Sequence, residues 1–264
     1  MGIGAVEPDN EAARLDVVYG ERVPYFTQRS IKIGVCLTGV YQALPLHDPN
    51  KIEEMRIKIS SVAGFLNAAC AKYLNLGWEV PRRTPEGPRE ITPEHVRHVV
   101  HAMDELGKIS FDQYKIPMAF HAERDVSKDA FRQIMDNTNP TCVHLCADVG
   151  HLTAMGLDAV KTVEEYYSRL RVSHWKDFDP RLPGPKYLGE GVRGDFVELG
   201  KGVVDFRALA EIFRSRGFDG WIMLELDRTR QPSVIGSARQ MQVYVANTLR
   251  LQVYKTQHES LPGC

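Results

Sequence analysis

The sequence predicts an α/β protein with a (β/α)8 (TIM) barrel fold, and three observations support this. Four acidic or imidazole side chains close four apolar runs and are separated by 25, 26 and 51 residues: Glu123, Asp148, His174 and Glu225. A spacing of about 25 to 30 residues fits one strand plus one helix of a parallel β/α repeat. Amphipathic helical patterns lie between most of the runs. The length of 264 residues suits one such barrel, so a single domain over residues 1–264 is expected.

Seven short apolar runs are typical of strands. They cover residues 3–7, 31–37, 72–76, 116–123, 143–148, 171–176 and 221–226. An eighth strand is not found, so we expect the first β/α unit of the barrel to be absent or divergent. Three explanations stay open: an incomplete barrel, a start codon further upstream, or a partner or the C-terminal region that fills the gap.

Four helices are predicted from capping residues and helical spacing. One begins at Asn50 with an Asn-x-x-Glu arrangement, and one at Thr92 with Pro93 at its first position. Asp205 is expected to cap a third, and a fourth follows residue 160. These helices supply the α layer that a β/α repeat requires.

Two stretches lack periodicity and are rich in Gly, Pro and charge, at residues 79–92 and 178–202. Both follow predicted strands, so both are expected on the active-site face as long, lid-like βα loops. Ordinary surface insertions are the alternative for each.

Composition narrows the class of partner. A net charge of −1 gives no general attraction to nucleic acid or to an anionic membrane, so a small molecule is the expected partner. The five cysteines are an odd number, and buried or free thiols are expected of them. The first residues lack a basic region followed by an apolar one, which favours the cytoplasm.

The four strand-end residues predict a metal site. In a (β/α)8 barrel the C-terminal strand ends converge on the active-site face. Carboxylates and an imidazole are suitable ligands for a divalent ion such as Mn²⁺. Glu225 supports this most strongly, because an ionised carboxylate in an otherwise apolar run is costly unless it is paired or metal-bound.

Four ordered motifs carry a resemblance to a known family. They are CADVGHLT at 146–153, SHWKD at 173–177, LGKGVVDF at 199–206 and WIMLELD at 221–227. Together they resemble the xylose-isomerase-like TIM-barrel superfamily, and within it the sugar phosphate isomerase/epimerase and inosose dehydratase branch. The resemblance is good over residues 116–228 and loose over the first 110.

The resemblance implies a divalent metal, most often Mn²⁺, with Mg²⁺, Co²⁺ and Zn²⁺ as alternatives. By position its ligands are Glu123 or His121, with Asp148, His174 and Glu225. His121 and Glu123 are two apart and face one side of a strand. We assign Glu123 as the ligand and His121 as a base or second ligand. This His-x-Glu order also resembles the metal-binding subunit of C-glycoside deglycosidases.

Further site residues follow from the same motifs. His121, Glu123 and Glu225 are the candidate catalytic residues. Lys176 is expected to bind a substrate oxygen, while His151 is either a substrate contact or a structural hydrogen bonder. The remaining candidate substrate contacts are Glu7 and Trp78, which lie by the ends of two other predicted strands.

The resemblance implies proton removal from a carbon next to a carbonyl. The predicted function is a metal-dependent isomerase/epimerase or dehydratase for a keto-sugar, keto-cyclitol or related polyol. A deglycosidase-like lyase subunit and a non-catalytic barrel are the alternatives. A nuclease is disfavoured, because the runs 31–37 and 72–76 lack His ligands. A homo-oligomer or a second subunit is left open.

Overall fold

The computed structural model describes residues 5–6, 36–37, 39–81, 90–185 and 191–251. Its contacts divide the chain into two compact units. The first comprises Met1–His121, Asp125–Leu145 and Tyr254–Cys264, and the second comprises Ala122–Arg124 and Cys146–Val253. The expected single domain over residues 1–264 stays a prediction.

The first unit is built from parallel strands and long helices. Its strands are β1 (Ala5–Val6), β2 (Cys36–Leu37), β3 (Gly39–Leu44), β4 (Tyr73–Trp78) and β5 (Met118–His121). β1 pairs with β2, and β4 pairs with both β3 and β5, all in parallel. Its helices are α1 (Ile52–Ala68), α2 (Pro93–Tyr114) and α3 (Lys128–Asn137), with a 3-10 turn at Pro49–Lys51.

The helix starts in this unit follow the capping rules, with one change from the prediction. Thr92 caps α2 as predicted, since its hydroxyl accepts the His95 N–H while the His95 ring accepts the Thr92 N–H. The predicted Asn50 cap is wrong. Asp48 accepts the Asn50 N–H instead, and a 3-10 turn leads into α1. α1 and α2 bury apolar faces against the strands, and each fully buried Leu, Ile or Phe adds about 2 to 3 kcal/mol.

The second unit carries the remaining elements. β6 (Val143–Asp148) enters it with its last three residues and is followed by α4 (Val149–Ala154) and α5 (Ala159–Glu165). β7 (Leu170–Trp175), β8 (Asp177–Pro183), β9 (Arg193–Val197), α6 (Phe206–Ser215), β10 (Trp221–Leu224) and α7 (Val234–Val243) follow. A 3-10 turn at Tyr167–Arg169 precedes β7, and a π-helical turn at Tyr244–Thr248 follows α7.

The strand order places the C-terminal ends of β6, β7 and β10 side by side. β7 lies between β6 and β10, and β10 pairs with β7 in parallel. Trp175 packs behind β7 against Phe206 and Phe213 of α6, at ring-centroid distances of 5.3 and 5.8 Å. Asp205 caps α6 as predicted, accepting two backbone N–H groups.

Five predicted strands are confirmed with small shifts of their ends: β4, β5, β6, β7 and β10. Two regions differ from the prediction. No strand was predicted at β3, where Gln42 interrupts the apolar run. None was predicted within 178–202 either, where β8 and β9 form an antiparallel hairpin despite Pro180 and Pro183. The prolines and the acidic residues interrupt the alternation of apolar and polar residues that would indicate a strand.

Several predictions fall partly or wholly outside the described residues. Ala5–Val6 and Cys36–Leu37 are strands, but the rest of the predicted runs 3–7 and 31–37 lies outside. The same holds for residues 82–89 of the first predicted loop, and for most of the region expected to hold the divergent first unit.

The three cysteines whose side chains the structure describes divide into two kinds. Cys142 and Cys146 are buried thiols outside any disulfide, as expected. Cys70 is disulfide-bonded, so the expectation of a free thiol is wrong for this residue. Among the described residues, no helix is both long and apolar enough to cross a membrane.

Candidate metal centre

Three of the predicted ligands lie together in the second unit, at the ends of adjacent strands. Asp148 is the last residue of β6 and also caps α4, since its Oδ1 accepts the His151 N–H at 2.9 Å. His174 lies in β7, and Glu225 directly follows β10. The Glu225 N–H donates to the Trp175 carbonyl at 3.1 Å, which extends the ladder between β7 and β10 by one residue. The backbone therefore fixes where each side chain starts.

The three side chains are close enough to share one ion. His174 Nδ1 lies 2.6 Å from Glu225 Oε2 and 4.0 Å from Asp148 Oδ2. One ligand atom from each residue lies within 4.8 Å of the others. Two ligands on one metal with bonds of about 2.1 Å are separated by at most roughly 4 Å. Two carboxylates and an imidazole at these separations fit a divalent cation.

Lys176 lies within the acidic cluster. Its side chain is 1% exposed. Its Nζ atom has three carboxylate neighbours: Glu225 Oε1 at 2.6 Å, Asp227 Oδ1 at 2.8 Å and Asp148 Oδ2 at 3.4 Å. Gly150 leaves room for the lysine stem, because a Cβ there would lie 2.3 Å from Lys176 Cγ.

The charge on Lys176 follows from these neighbours. Burial lowers the pKa of its ammonium, but the carboxylates of Asp148, Glu225 and Asp227 raise it more, to well above its usual range. Lys176 is therefore a cation that donates hydrogen bonds. An ammonium with a raised pKa is unsuited to act as a base or as an amine nucleophile.

His151 has a tautomer set by its surroundings. The Arg124 backbone N–H donates to His151 Nδ1 at 2.8 Å, so that nitrogen carries no proton. A neutral imidazole then carries its proton on Nε2, which lies 3.0 Å from Glu123 Oε2 and 3.2 Å from Lys176 Nζ. Because Lys176 is itself a donor, the Nε2–H group donates to the Glu123 carboxylate. His151 thus orients Glu123, which favours its role as a structural hydrogen bonder.

The β8–β9 hairpin forms an aromatic wall beside Lys176 and His151. Phe196 of β9 is buried, and its ring centre lies 4.8 Å from Lys176 Nζ and 4.7 Å from the His151 ring. The Arg124 guanidinium lies over Phe196 and Phe178 and donates to the Gly194 carbonyl at 3.2 Å. These five contacts hold the hairpin against Lys176, His151 and Arg124.

Asp177, the first residue of β8, holds the segment that follows the hairpin. Its carboxylate accepts hydrogen bonds from four backbone N–H groups, those of Phe178, Gly200, Gly202 and Val204. Burial raises the pKa of this carboxyl despite the hydrogen bonds, which lower it. Asp177 thus fixes the backbone of the LGKGVVDF motif by hydrogen bonds.

The other predicted site residues lie in the first unit or outside the described residues. His121 ends β5, is buried, and contacts the Tyr41 ring edge-on at 5.2 Å. Trp78 ends β4, and its indole N–H donates to His47 Nδ1 at 3.1 Å. Glu7 lies outside the described residues. Roles for these three stay predictions. The role of Glu123 as a metal ligand also stays a prediction, and Glu123 is not among the described residues whose ligand atoms lie within 4.8 Å of one another.

Two residues of the site were missed by sequence reasoning. Asp227 follows Glu225 by two positions, and this period-two spacing was available as an indication. Phe196 gave no local indication, because its contacts with Lys176 and His151 depend on a hairpin that was not predicted.

The sequence profile of the xylose isomerase-like TIM barrel family matches residues 1–244. An inosose dehydratase from Geobacillus kaustophilus (strain HTA426) is 24% identical over 240 residues, which is 82% of this chain and 76% of that protein. Other inosose dehydratases match at 26% identity over 135 residues, so the chain spans less than half, 44%, of their length.

Solved structures agree with this fold. A xylose isomerase-like TIM barrel protein from Mycobacterium smegmatis, in complex with magnesium, has a TM-score of 0.71 at 14% identity, covering 94% of this chain and 84% of that one. The IOLI protein with a binding zinc atom has a TM-score of 0.69 at 18% identity, covering 93% and 89%. At these identities the likeness shows the fold, a TIM barrel.

Proposed function

The chain belongs to the xylose isomerase-like TIM-barrel family, and from that premise we propose that it is a divalent-metal-dependent enzyme. It would remove a proton next to the carbonyl of a keto-sugar, keto-cyclitol or related polyol. The observation that carries this proposal is the cluster of Asp148, His174 and Glu225 at adjacent strand ends. Its donor set suits an ion that also binds substrate oxygens.

Asp148, His174 and Glu225 are the residues that would hold the ion. Mn²⁺ is the preferred assignment, and the relatives solved with zinc and with magnesium support a divalent site in this fold. When bound, the ion supplies Lewis-acid stabilisation of the oxyanion that forms as the carbon loses its proton.

Glu123 is our candidate for the proton acceptor. Its carboxylate is about one-third exposed and accepts the Nε2–H of His151 at 3.0 Å. The His151 ring is held in turn by the Arg124 backbone N–H. This chain of hydrogen bonds gives the carboxylate one orientation, which general-base catalysis requires. His121 is the competing base, as the sequence motif suggested.

Lys176 is our candidate for binding a substrate oxygen. Its ammonium has a raised pKa, so it stays charged and donates hydrogen bonds at neutral pH. Phe196 covers one side of it and keeps water away. A desolvated ammonium stabilises a hydroxyl or a developing oxyanion more strongly than an exposed one does.

The fate of the proton determines the reaction. Return to the opposite face gives epimerisation, return to the neighbouring carbon gives isomerisation, and loss of a β-hydroxyl gives dehydration. The inosose dehydratase relatives favour dehydration of a keto-cyclitol. We therefore place dehydratase first, with isomerase/epimerase second. Cytoplasmic location and a small-molecule partner complete the proposal.

The test uses purified protein with Mn²⁺ and a panel of keto-cyclitols and keto-sugars in D₂O. We expect solvent deuterium at the carbon next to the carbonyl, together with loss of water from at least one keto-cyclitol. Glu123→Gln should lose both while still binding Mn²⁺. No deuterium exchange with any member of the panel, from protein shown to bind Mn²⁺, would contradict the proposal.

A further inference from the structure

We propose that Asp227 is a positioning residue: it holds the Lys176 ammonium while Asp148 and Glu225 bind a divalent cation, and so sets the affinity of the site for metal. The inference rests on the metal site proposed above. It assigns a role to Asp227, which is not among the described residues whose ligand atoms lie close enough together to share an ion.

The first step is that Lys176 shares oxygens with the candidate ligands. Its Nζ lies 2.6 Å from one oxygen of Glu225 and 3.4 Å from Asp148 Oδ2. Asp148 Oδ2 is also the oxygen that faces His174 Nδ1, at 4.0 Å. A divalent ion using these two carboxylates must therefore share them with an ammonium, and two cations in one buried cluster repel each other.

The second step is that the other neighbours of Lys176 are poor acceptors. The Phe196 ring lies 4.8 Å from Nζ, and Gly150 packs against the lysine stem. His151 Nε2 lies 3.2 Å away but carries its own proton, which is directed to Glu123. Asp227, at 2.8 Å, is the contact through which Lys176 keeps a counter-ion once the ligand carboxylates turn to the metal.

The third step is the charge of the cluster. The carboxylates of Asp148, Glu225 and Asp227 and the ammonium of Lys176 together carry −2, because three negative charges meet one positive charge. A divalent ion neutralises that sum. With Asp227 made neutral, the sum is −1, and the ammonium depends entirely on the ligand carboxylates. Loss of Asp227 should therefore weaken metal binding through Lys176.

Asp227 is accessible enough for this role. Its side chain is 40% exposed, whereas those of Lys176 and Asp148 are 1% exposed. Water can therefore solvate one side of its carboxylate while the other side faces the buried ammonium. A substitution at this exposed position should not unfold the protein.

The experiment is a double-mutant cycle measured by calorimetric titration with Mn²⁺ alone. Lys176→Met should bind Mn²⁺ about tenfold more tightly, and Asp227→Asn about tenfold more weakly, than the unaltered protein. In the Lys176→Met background, Asp227→Asn should have little further effect. Asp227→Glu should restore most of the affinity. Lys176→Gln, which keeps a donor but removes the charge, replaces Lys176→Met if the latter does not fold.

Asp179→Asn is the matched control. It removes one carboxylate from the same unit, but Asp179 pairs with Arg181 through two short contacts of 2.8 Å. Because the Arg181 guanidinium already compensates the charge of Asp179, the Mn²⁺ affinity of Asp179→Asn should change by less than about twofold.

Three outcomes would overturn the proposal. If Lys176→Met binds Mn²⁺ no more tightly than the unaltered protein, the lysine does not compete with the ion. If Asp227→Asn weakens binding equally with and without Lys176, Asp227 acts as a ligand itself. If neither the unaltered protein nor Lys176→Met binds Mn²⁺, the metal site of the proposed function fails as well, which distinguishes that failure from the first two.

Discussion

The strand ends of the second unit and the β8–β9 hairpin contribute to one site in different ways. The ends of β6, β7 and β10 supply charge: two carboxylates, an imidazole and the Lys176 ammonium beside them. The hairpin supplies an apolar wall, in which Phe196 covers Lys176 and His151. The first set gives the site its chemistry, and the second gives it low polarity and fixed positions. Substitutions in the two regions should therefore fail in different ways.

The largest effect is expected at the strand ends. Asp148→Asn and Glu225→Gln should each weaken Mn²⁺ binding by more than about 100-fold and abolish turnover, because an amide is a neutral and weaker ligand. Metal analysis and calorimetry measure this. Asp158→Asn is the control, since Asp158 caps α5 and Asn caps a helix equally well. Normal metal content and activity in both ligand variants would contradict the assignment of Asp148 and Glu225 as metal ligands.

A second prediction separates metal binding from proton transfer. Glu123→Gln should keep Mn²⁺ but lose turnover by about 100-fold or more, because an amide cannot accept the proton. His121→Ala tests the competing base in the same assay. Should His121→Ala show the larger loss of rate with metal retained, His121 is the base. Loss of metal in that variant would make His121 a ligand.

The hairpin should give a smaller effect of another kind. Phe196→Leu should bind Mn²⁺ normally but turn over about tenfold more slowly, because Lys176 and His151 lose the ring that positions them. Phe196→Tyr should restore most of the rate. Phe178→Leu is the control. Phe178 packs against Phe196 and the Arg124 guanidinium, so it acts on Lys176 and His151 through these neighbours, and its loss of rate should be smaller. A Phe196→Leu variant that loses Mn²⁺ would show that the hairpin belongs to the metal site itself.

The smallest effect is expected at Asp179 of β8, whose carboxylate pairs with the exposed Arg181 side chain. Hydrogen bonds from Arg181 lower the pKa of the Asp179 carboxyl from 3.8 to about 2. A carboxyl with a lowered pKa stabilises the folded state above its unfolded pKa and loses that contribution as pH falls through its folded pKa. Asp179→Asn should therefore modestly lower the stability measured by denaturant unfolding above about pH 4, and the difference from the unaltered protein should disappear as the pH falls to about 2. Equal stability of the two proteins at neutral pH would contradict this.

The strand ends could be predicted from sequence because each lies within a local pattern. Asp148 closes an apolar run that forms β6, and Glu225 follows β10 directly, so their spacing indicated the architecture. Lys176 followed from period two, since it is two residues from His174. These inferences need only the alternation of one strand and the order of strands in the fold.

The hairpin and Asp227 could not be predicted in the same way. β8 and β9 pair through residues 10 to 20 positions apart, such as Phe178 with Phe196. The two strands hold two prolines and three acidic residues, which interrupt the alternation of apolar and polar residues. Asp227 has a function only because Lys176 reaches it across 51 positions of the chain. Contacts of this kind depend on the tertiary fold rather than on local sequence.

Anomalous diffraction from crystals grown with Mn²⁺ would show whether the three strand-end residues hold a metal ion. We expect one strong manganese peak within about 2.2 Å of oxygens of Asp148 and Glu225 and of a ring nitrogen of His174, with Lys176 Nζ turned to Asp227. A well-ordered site without a manganese peak, or a peak that none of these three residues contacts, would contradict it.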